Sequence, residues 1–430
     1  MVPGVAKLEN ISKKYTSVLA GFIGNVMEWY DFALYGYMAS IISQQFFPSS
    51  HETASLLATY GVFAAGFIMR PLGSAVFGWF GDTFGRSKTM LISVIMMSLP
   101  TFLLGCLPTF DAVGILAPIL LILIRLVQGL SVGGEFSSSV TYLVETAPTG
   151  KRGFTGSWAN TGSIFGMLLG SGIAALLTTF LSSEIISSWA WRIPFLFGGV
   201  LGTIAIILRK DLPKSKHFEK HHKKRPETSP LLAAFTTNRK EMIQAILFAS
   251  AYGVLFYIPL VYLPTWLHEE LDFQLDSAMR VNTVATAFLM VLIPVAGKIS
   301  DHLIRRTHFI SWVMLISAVI SWPAYYFLPS AGFAGIVLLQ FIFIVIVAVP
   351  LGSAPAMFVE LFPSCDRLSG YSVAYNLGLG VVGGSAPMIS TWLIEVTSFS
   401  TAPAVFLAFV SLVAFAVALW IKDGSREPLK

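Results

Sequence analysis

The sequence predicts an all-α membrane protein whose twelve transmembrane helices form two related six-helix halves. Three observations carry that expectation. Of the 430 residues, 55% are hydrophobic and 12% are charged, with a mean hydropathy of +0.73, whereas a water-soluble domain carries about 25% charge. Turn residues and charges cut the chain into twelve apolar runs, most of them at or above the roughly 20 residues that cross a bilayer. Two charged signatures then recur in the second half at nearly constant offset.

The first run, 18–46, is too long for the apolar core of a signal peptide and is expected to remain as an uncleaved first span. Run 55–80 stops at G-W-F-G-D-T-F-G-R-S-K (78–88), after which 89–108 begins. L-P-T-F-D (107–111) leads into 113–144, and E-T-A-P-T-G-K-R-G (145–153) leads into 153–181. S-S-E (182–184) precedes 190–208, which ends at the basic stretch R-K-D-L-P-K-S-K-H-F-E-K-H-H-K-K-R-P-E. In the second half, 241–267 closes at H-E-E-L-D (268–272), and 278–297 closes at K-I-S-D-H-L-I-R-R-T-H (298–308). P-S-A (329–331) divides 309–328 from 332–358, F-P-S-C-D-R (362–367) precedes 368–395, and T-S-F-S-T (397–401) precedes 402–421. Runs longer than the minimum imply tilted or projecting helices.

Lys and Arg orient these spans. Of the 28, 24 fall in segments on one side, and the other side has only Arg192 and Arg280, with Arg70 and Arg125 inside spans. This asymmetry assigns both termini to the cytoplasm, together with a basic linker, 209–240. The linker divides an N-terminal bundle, 1–208, from a C-terminal bundle with a short tail, 241–430. Beneath a membrane such a basic run reads as a topology anchor near anionic head groups rather than as a nucleic-acid site. His217, His221 and His222 lie within it without a closed ligand set, so no metal is expected. The two cysteines, Cys106 and Cys365, fall near opposite faces and are expected not to pair.

The repeat concerns two loops. Gly78-x3-Asp82-x2-Gly85-Arg86 returns as Gly297-x3-Asp301-x2-Ile304-Arg305, and Glu145-x2-Pro148-x3-Arg152 returns as Glu360-x2-Pro363-x3-Arg367. Each copy follows the second or fourth helix of its half, which points to duplication. Two related six-helix halves are an architecture of alternating-access transporters, with substrate held between the halves. Acid and arginine at such loops can clasp neighbouring helices. Asp82, Arg86, Glu145, Arg152, Asp301, Arg305, Glu360 and Arg367 are therefore the expected gate charges, with helix capping and topology as their bland alternative.

G-W-F-G-D-T-F-G-R-S-K resembles the loop signature of the major facilitator superfamily. More narrowly, G-N-V-M-E-W-Y-D-F (24–32), R-P-L-G (70–73), R-L-V-Q-G-L-S-V-G-G-E-F (125–136), E-T-A-P-T-G-K-R-G (145–153) and W-R-I-P-F (191–195) resemble the metabolite:proton symporter family within it. That family includes uptake systems for proline and betaine, 2-oxoglutarate, citrate and shikimate. The resemblance implies the major facilitator fold, a bacterial inner-membrane location, proton-coupled uptake, and no cofactor. Ile304 departs from the signature, which has glycine there. The chain also stops about nine residues after the last expected span, where osmosensing betaine carriers often continue into a coiled coil.

Ionisable groups inside a bilayer need partners or a wet cavity, because each costs about 2.5–3.5 kcal/mol at mid-membrane. Asn25, Glu28, Asp31 and Tyr35 share one face of the first span. Arg125, Gln128, Glu135 and Ser139 share one face of the fourth. A buried cation facing those acids could exchange a protein carboxylate for a substrate carboxylate. Glu28, Asp31 and Glu135 are the candidate proton carriers, the two helix-1 acids acting as one titrating unit; a static ion-pair network is the alternative. Asn25, Tyr35, Arg70, Arg125, Gln128, Asn160 and Asn376 are candidate substrate contacts, and Gly162-x3-Gly166-x3-Gly170 reads as close helix packing.

The reading is a proton-coupled symporter for a small carboxylate-bearing metabolite, functional as a monomer in the bilayer, with protons and solute as its partners. Proline or betaine uptake and proton-driven efflux are the nearer alternatives; a channel or membrane sensor is the more distant one. No phosphate loop or metalloprotease motif suggests an enzyme.

Overall fold

The computed structural model describes residues 3–48, 51–213, 215, 218–219 and 229–429. Part of the basic linker, including His217, His221 and His222, lies outside the described residues.

Helices follow each other along the chain: α1 (Pro3–Tyr37), α2 (Ala39–Phe46), α3 (Glu52–Phe84), α4 (Arg86–Cys106), α5 (Phe110–Val113), α6 (Leu116–Glu145), α7 (Arg152–Phe180), α8 (Ser183–Ile185) and α9 (Arg192–Lys210). After the linker come α10 (Pro230–Thr236), α11 (Arg239–Tyr257), α12 (Leu263–Leu271), α13 (Leu275–His302), α14 (Arg306–Leu361), α15 (Arg367–Tyr375), α16 (Ala386–Thr397) and α17 (Ala402–Trp420). Ten helical stretches among the described residues are long and apolar enough to cross a membrane. One of them, α14, holds two spans, because Gly332 (φ 60, ψ −169) breaks its 56 residues where the sequence places P-S-A. Only glycine adopts that φ and ψ readily. With α1, whose buried acids lower its apolarity, these make the twelve spans of an all-α membrane protein.

Several spans are not uniform α-helix. Ile258–Tyr262 winds as π-helix between α11 and α12, where Pro259 and Pro264 each withhold a backbone donor. Asn376–Gly383, rich in glycine, does the same between α15 and α16.

Backbone contacts divide the chain into two compact units: residues 1–146 with 162–222, and residues 147–161 with 223–430. The helix α7 is thus shared, its first turns clustering with the second unit and the remainder with the first.

The first unit is tightened by glycine. On α6, a Cβ at Gly129 would stand 2.1 Å from the Gly66 carbonyl of α3, and one at Gly133 would stand 2.3 Å from the Arg70 carbonyl. On α7, the Gly162 and Gly166 positions face the Phe22 and Val26 carbonyls of α1 at 2.5 and 2.3 Å, so the glycine stripe does pack helix on helix. Packing this close brings the polar faces of α1 and α6 together around a cluster of Met27, Tyr30, Leu34, Tyr35 and Leu121. In the second unit Phe248, Tyr252, Phe358, Tyr371 and Tyr375 form an aromatic cluster, mostly edge-to-face or tilted, with Phe358 stacked on Tyr371.

Candidate functional site

Helical periodicity puts Glu28 and Asp31 on one face of α1, and the first unit gives each its own arginine. Asp31 lies fully buried opposite α6, and Arg125 Nη1 donates to its Oδ2 at 2.5 Å. Its Oδ1 accepts from Thr101 of α4 and from Gln128 of α6, each at 2.9 Å. The Gln128 amide also donates to the Thr101 hydroxyl at 2.8 Å, closing a ring of three side chains from three helices, to which Arg125 is joined through Asp31. Above this ring Tyr35 covers the guanidinium of Arg125, whose central carbon is 3.7 Å from the ring centroid. Arg125 Nε and Nη2 and Gln128 Oε1 are buried with no hydrogen-bond partner.

Glu28 does not face Arg125. Its Oε1 accepts from Arg70 Nη2 of α3 at 3.4 Å, and its Oε2 is buried without a partner. The Arg70 guanidinium lies over two aromatic rings, its central carbon 4.7 Å from the Phe32 ring centroid and 4.4 Å from that of Phe67. Asn25, one turn earlier, donates back to the Gly21 carbonyl at 2.7 Å and leaves Oδ1 unpartnered.

Glu135 faces a cation that sequence reasoning assigned to the linker. Helix α9 runs through Lys210, so Arg209 is a buried helical residue and not a loop charge. Arg209 Nη2 and Nη1 donate to Glu135 Oε1 and Oε2 at 2.5 and 2.8 Å. Ser93 and Ser139 donate to the same carboxylate at 2.5 and 3.0 Å, and Arg209 Nε donates to the Ala20 carbonyl at 2.9 Å. Every oxygen lone-pair direction of Glu135 is engaged, which suits a structural ion pair better than a proton carrier. Gly24 explains itself here: a Cβ on it would stand 1.8 Å from Arg209 Nη2 and 2.0 Å from Glu135 Oε1.

In the second unit Asn160 donates to the Tyr252 hydroxyl at 2.9 Å and to the Leu351 carbonyl at 2.7 Å. Asn376 opens the π-helical segment and donates to the Ser372 carbonyl at 2.9 Å.

The repeated loop charges form one cluster per unit. In the first, Arg86 pairs with Asp82 at 3.0 Å and with Glu145 at 3.4 Å, while Ser215 donates to Glu145 at 2.5 Å. In the second, the corresponding arginine is Arg306, which pairs with Asp301 at 2.9 Å and with Glu360 at 2.6 Å. Arg305, expected in that place, is instead exposed, with Nη1 3.3 Å from His308 Nε2. The reason is local: Arg305 precedes the first turn of α14 with extended backbone (φ −135, ψ 114), so only Arg306 is turned inward. Asp301 also accepts from the backbone N–H groups of Gly153 and Phe154 at 2.7 and 2.8 Å, at the first turn of α7, where a carboxylate satisfies orphan amides. Arg152 reaches Glu360 at 3.3 Å and the Gly424 carbonyl at 3.4 Å. Arg367 is buried, its Nε donating to the Phe362 carbonyl at 3.1 Å.

Beyond α17 the tail folds back onto this cluster. Asp423 accepts from the Thr307 N–H at 2.8 Å, at the start of α14. Partial burial pushes the Asp423 carboxyl up, but hydrogen bonds from Ser425 and Thr307 outweigh it and hold the group below its ordinary range.

The profile of the family described as sugar (and other) transporter matches residues 16–247. A proline/betaine transporter of Salmonella typhimurium is 32% identical over 429 residues, covering 96% of this chain and 84% of that one. The glycine betaine/proline/ectoine/pipecolic acid transporter OusA of Dickeya dadantii is 31% identical over 430 residues, with the same shares covered. Among solved structures, the proton:xylose symporter XylE bound to 6-bromo-6-deoxy-D-glucose superposes with a TM-score of 0.77 at 17% identity, over 98% of both chains. The human organic anion transporter MFSD10 superposes with a TM-score of 0.63 at 13% identity, over 94% of this chain and 99% of that one.

Proposed function

The chain belongs to the sugar (and other) transporter family of the major facilitator superfamily, and from that premise we propose that this secondary transporter is a proton-coupled symporter for a small carboxylate-bearing solute. Proline- and betaine-type zwitterions, named for its relatives, are the first to be tested. The observation that carries the proposal is the half-used Arg125. One of its amino groups holds Asp31, while Nε and Nη2, on a single edge of the guanidinium, have no partner. That edge matches the bite of a carboxylate.

A substrate carboxylate that engages this edge draws Arg125 away from Asp31. Asp31 keeps the Thr101 and Gln128 donors but loses its counter-ion in a buried site, and it takes up a proton from outside. Reversal on the cytoplasmic side releases both. Glu28, whose Oε2 is free one turn away, offers the positive end of a zwitterion a contact or a second proton site. In the second unit, Asn160 and Asn376 are the proposed polar solute contacts. The clusters around Arg86 and Arg306 act as cytoplasmic gate clasps. Both termini face the cytoplasm, as the lysine and arginine asymmetry supports, and the bilayer is a bacterial inner membrane, as the bacterial relatives support.

The test is uptake into proteoliposomes under an imposed pH gradient, comparing proline and betaine with di- and tricarboxylates. Asp31→Asn is expected to lose gradient-driven accumulation while keeping solute exchange. Arg125→Lys loses the paired edge and is expected to weaken apparent affinity by about 1.5–3 kcal/mol, on the order of 10- to 150-fold. Full accumulation in both Asp31→Asn and Glu28→Gln would remove these acids from the mechanism.

A further inference from the structure

We propose that the surface depression lined by Leu303, Ile304, Arg305, His308, Phe309 and Trp312 binds the head group of an anionic phospholipid. It measures about 600 Å3 and opens outward from the second unit. It lies where α13 ends at His302 and α14 begins at Arg306, the level at which two spans leave the apolar slab. The site rests on the membrane-spanning fold and not on the transport reading.

Two properties of the depression select the ligand. Its walls are apolar and bare: Ile304 is 85% exposed, and Trp312, six residues beyond the start of α14 at Arg306, is 61% exposed. Side chains of this kind at the end of a span belong against acyl chains and the interfacial region, with tryptophan at head-group level. Its rim is cationic. Arg305 is turned outward beside His308, and Arg426 reaches in from the tail to donate to the Leu303 carbonyl at 2.8 Å. The nearby acids are already engaged: Asp301 and Glu360 are bound to Arg306, Asp423 accepts from Thr307 and Ser425, and no carboxylate is among the residues that line the depression. A phosphate diester on two acyl chains satisfies both properties together, since basic pockets at the cytoplasmic ends of spans attract anionic head groups. Ile304, which breaks the loop signature, thereby becomes part of the apolar floor, and Arg305 becomes the anion contact in place of a gate charge.

The experiment is native mass spectrometry of the full chain released from micelles containing phosphatidylglycerol or phosphatidylcholine with the same acyl chains. The wild-type protein is expected to retain phosphatidylglycerol preferentially. Arg305→Gln is expected to lower that retention about fivefold, the worth of one cation near a charged lipid surface, and Arg305→Lys to keep most of it. Arg280→Gln, which removes another exposed cation, at the other end of α13, is expected to leave retention unchanged. Equal retention of the two lipids by the wild type would overturn the proposal. So would undiminished retention in Arg305→Gln, or an equal loss in Arg280→Gln.

Discussion

Taking away the Glu135 carboxylate strands one of the most enclosed cations in the protein. Both partners of the Glu135–Arg209 pair are at most 1% exposed, and two of the guanidinium nitrogens donate to the carboxylate. In Glu135→Leu, Arg209 keeps the carbonyls of Ala20 and Met90 and the Ser139 hydroxyl but loses its formal counter-charge. An uncompensated buried charge costs about 3–5 kcal/mol, and Arg209→Met should cost a similar amount by orphaning the acid. The double variant Glu135→Leu with Arg209→Met removes both charges, and apolar replacements of buried pairs are neutral or stabilising. Its stability is therefore expected within about 1 kcal/mol of wild type, giving a coupling energy of at least about 5 kcal/mol in a double-mutant cycle. Denaturant unfolding in micelles measures the cycle, and proteoliposome uptake measures coupling. Additive single effects would refute the structural assignment of the pair, and so would loss of pH-driven accumulation in a stable double variant.

The remaining predictions use the same logic at other positions. Gly24→Ala drives a methyl group into the Arg209–Glu135 contact and is expected to destabilise by about 1–3 kcal/mol, measurable as a lower unfolding midpoint. Arg306→Gln breaks charged bonds to two acids and should impair both stability and uptake, by about 3 kcal/mol or more in unfolding, whereas Arg305→Gln should leave both intact. Asp301→Asn weakens the cap on the first turn of α7 and should raise amide exchange at Gly153 and Phe154. The folded-state pKa of Asp423 is depressed, so its contribution is present above the unfolded value near about 3.9 and is lost as pH falls through the folded value. Hydrogen exchange at the Thr307 amide should therefore stay slow through the ordinary carboxylate range and rise only below it, while Asp423→Asn should speed it at neutral pH.

The fold was legible because apolar run length and charge placement are one-dimensional signals, and they survive folding unchanged. Polar stripes on α1 and α6 were legible for the same reason, since 3.6-residue periodicity alone puts Asp31 and Arg125 on faces able to meet. Partner choice was not. Three acids and three arginines allow several pairings, and only tertiary packing sends Glu28 to Arg70 and Glu135 to Arg209. Arg209 was hidden because R-K-D at the end of a span looks like a loop boundary. Thr101 and Ser93 were hidden because a hydroxyl in an apolar run ordinarily bonds its own helix, as Thr101 also does to the Met97 carbonyl. Arg305 and Arg306 are chemically identical neighbours, and the backbone at the start of α14 decides between them.

In the membrane-embedded heart of the first unit each of three buried acids is matched by its own buried arginine. Over a full cycle such paired charges return to where they began, so the voltage dependence of turnover reads out the cargo. With one proton aboard, a zwitterion crosses as a net positive charge, a monoanion crosses silently, and a dianion crosses as a net negative charge. Since one elementary charge is worth about 2.3 kcal/mol per 100 mV, a potassium-diffusion potential applied to vesicles would sort candidate solutes by the sign of their response.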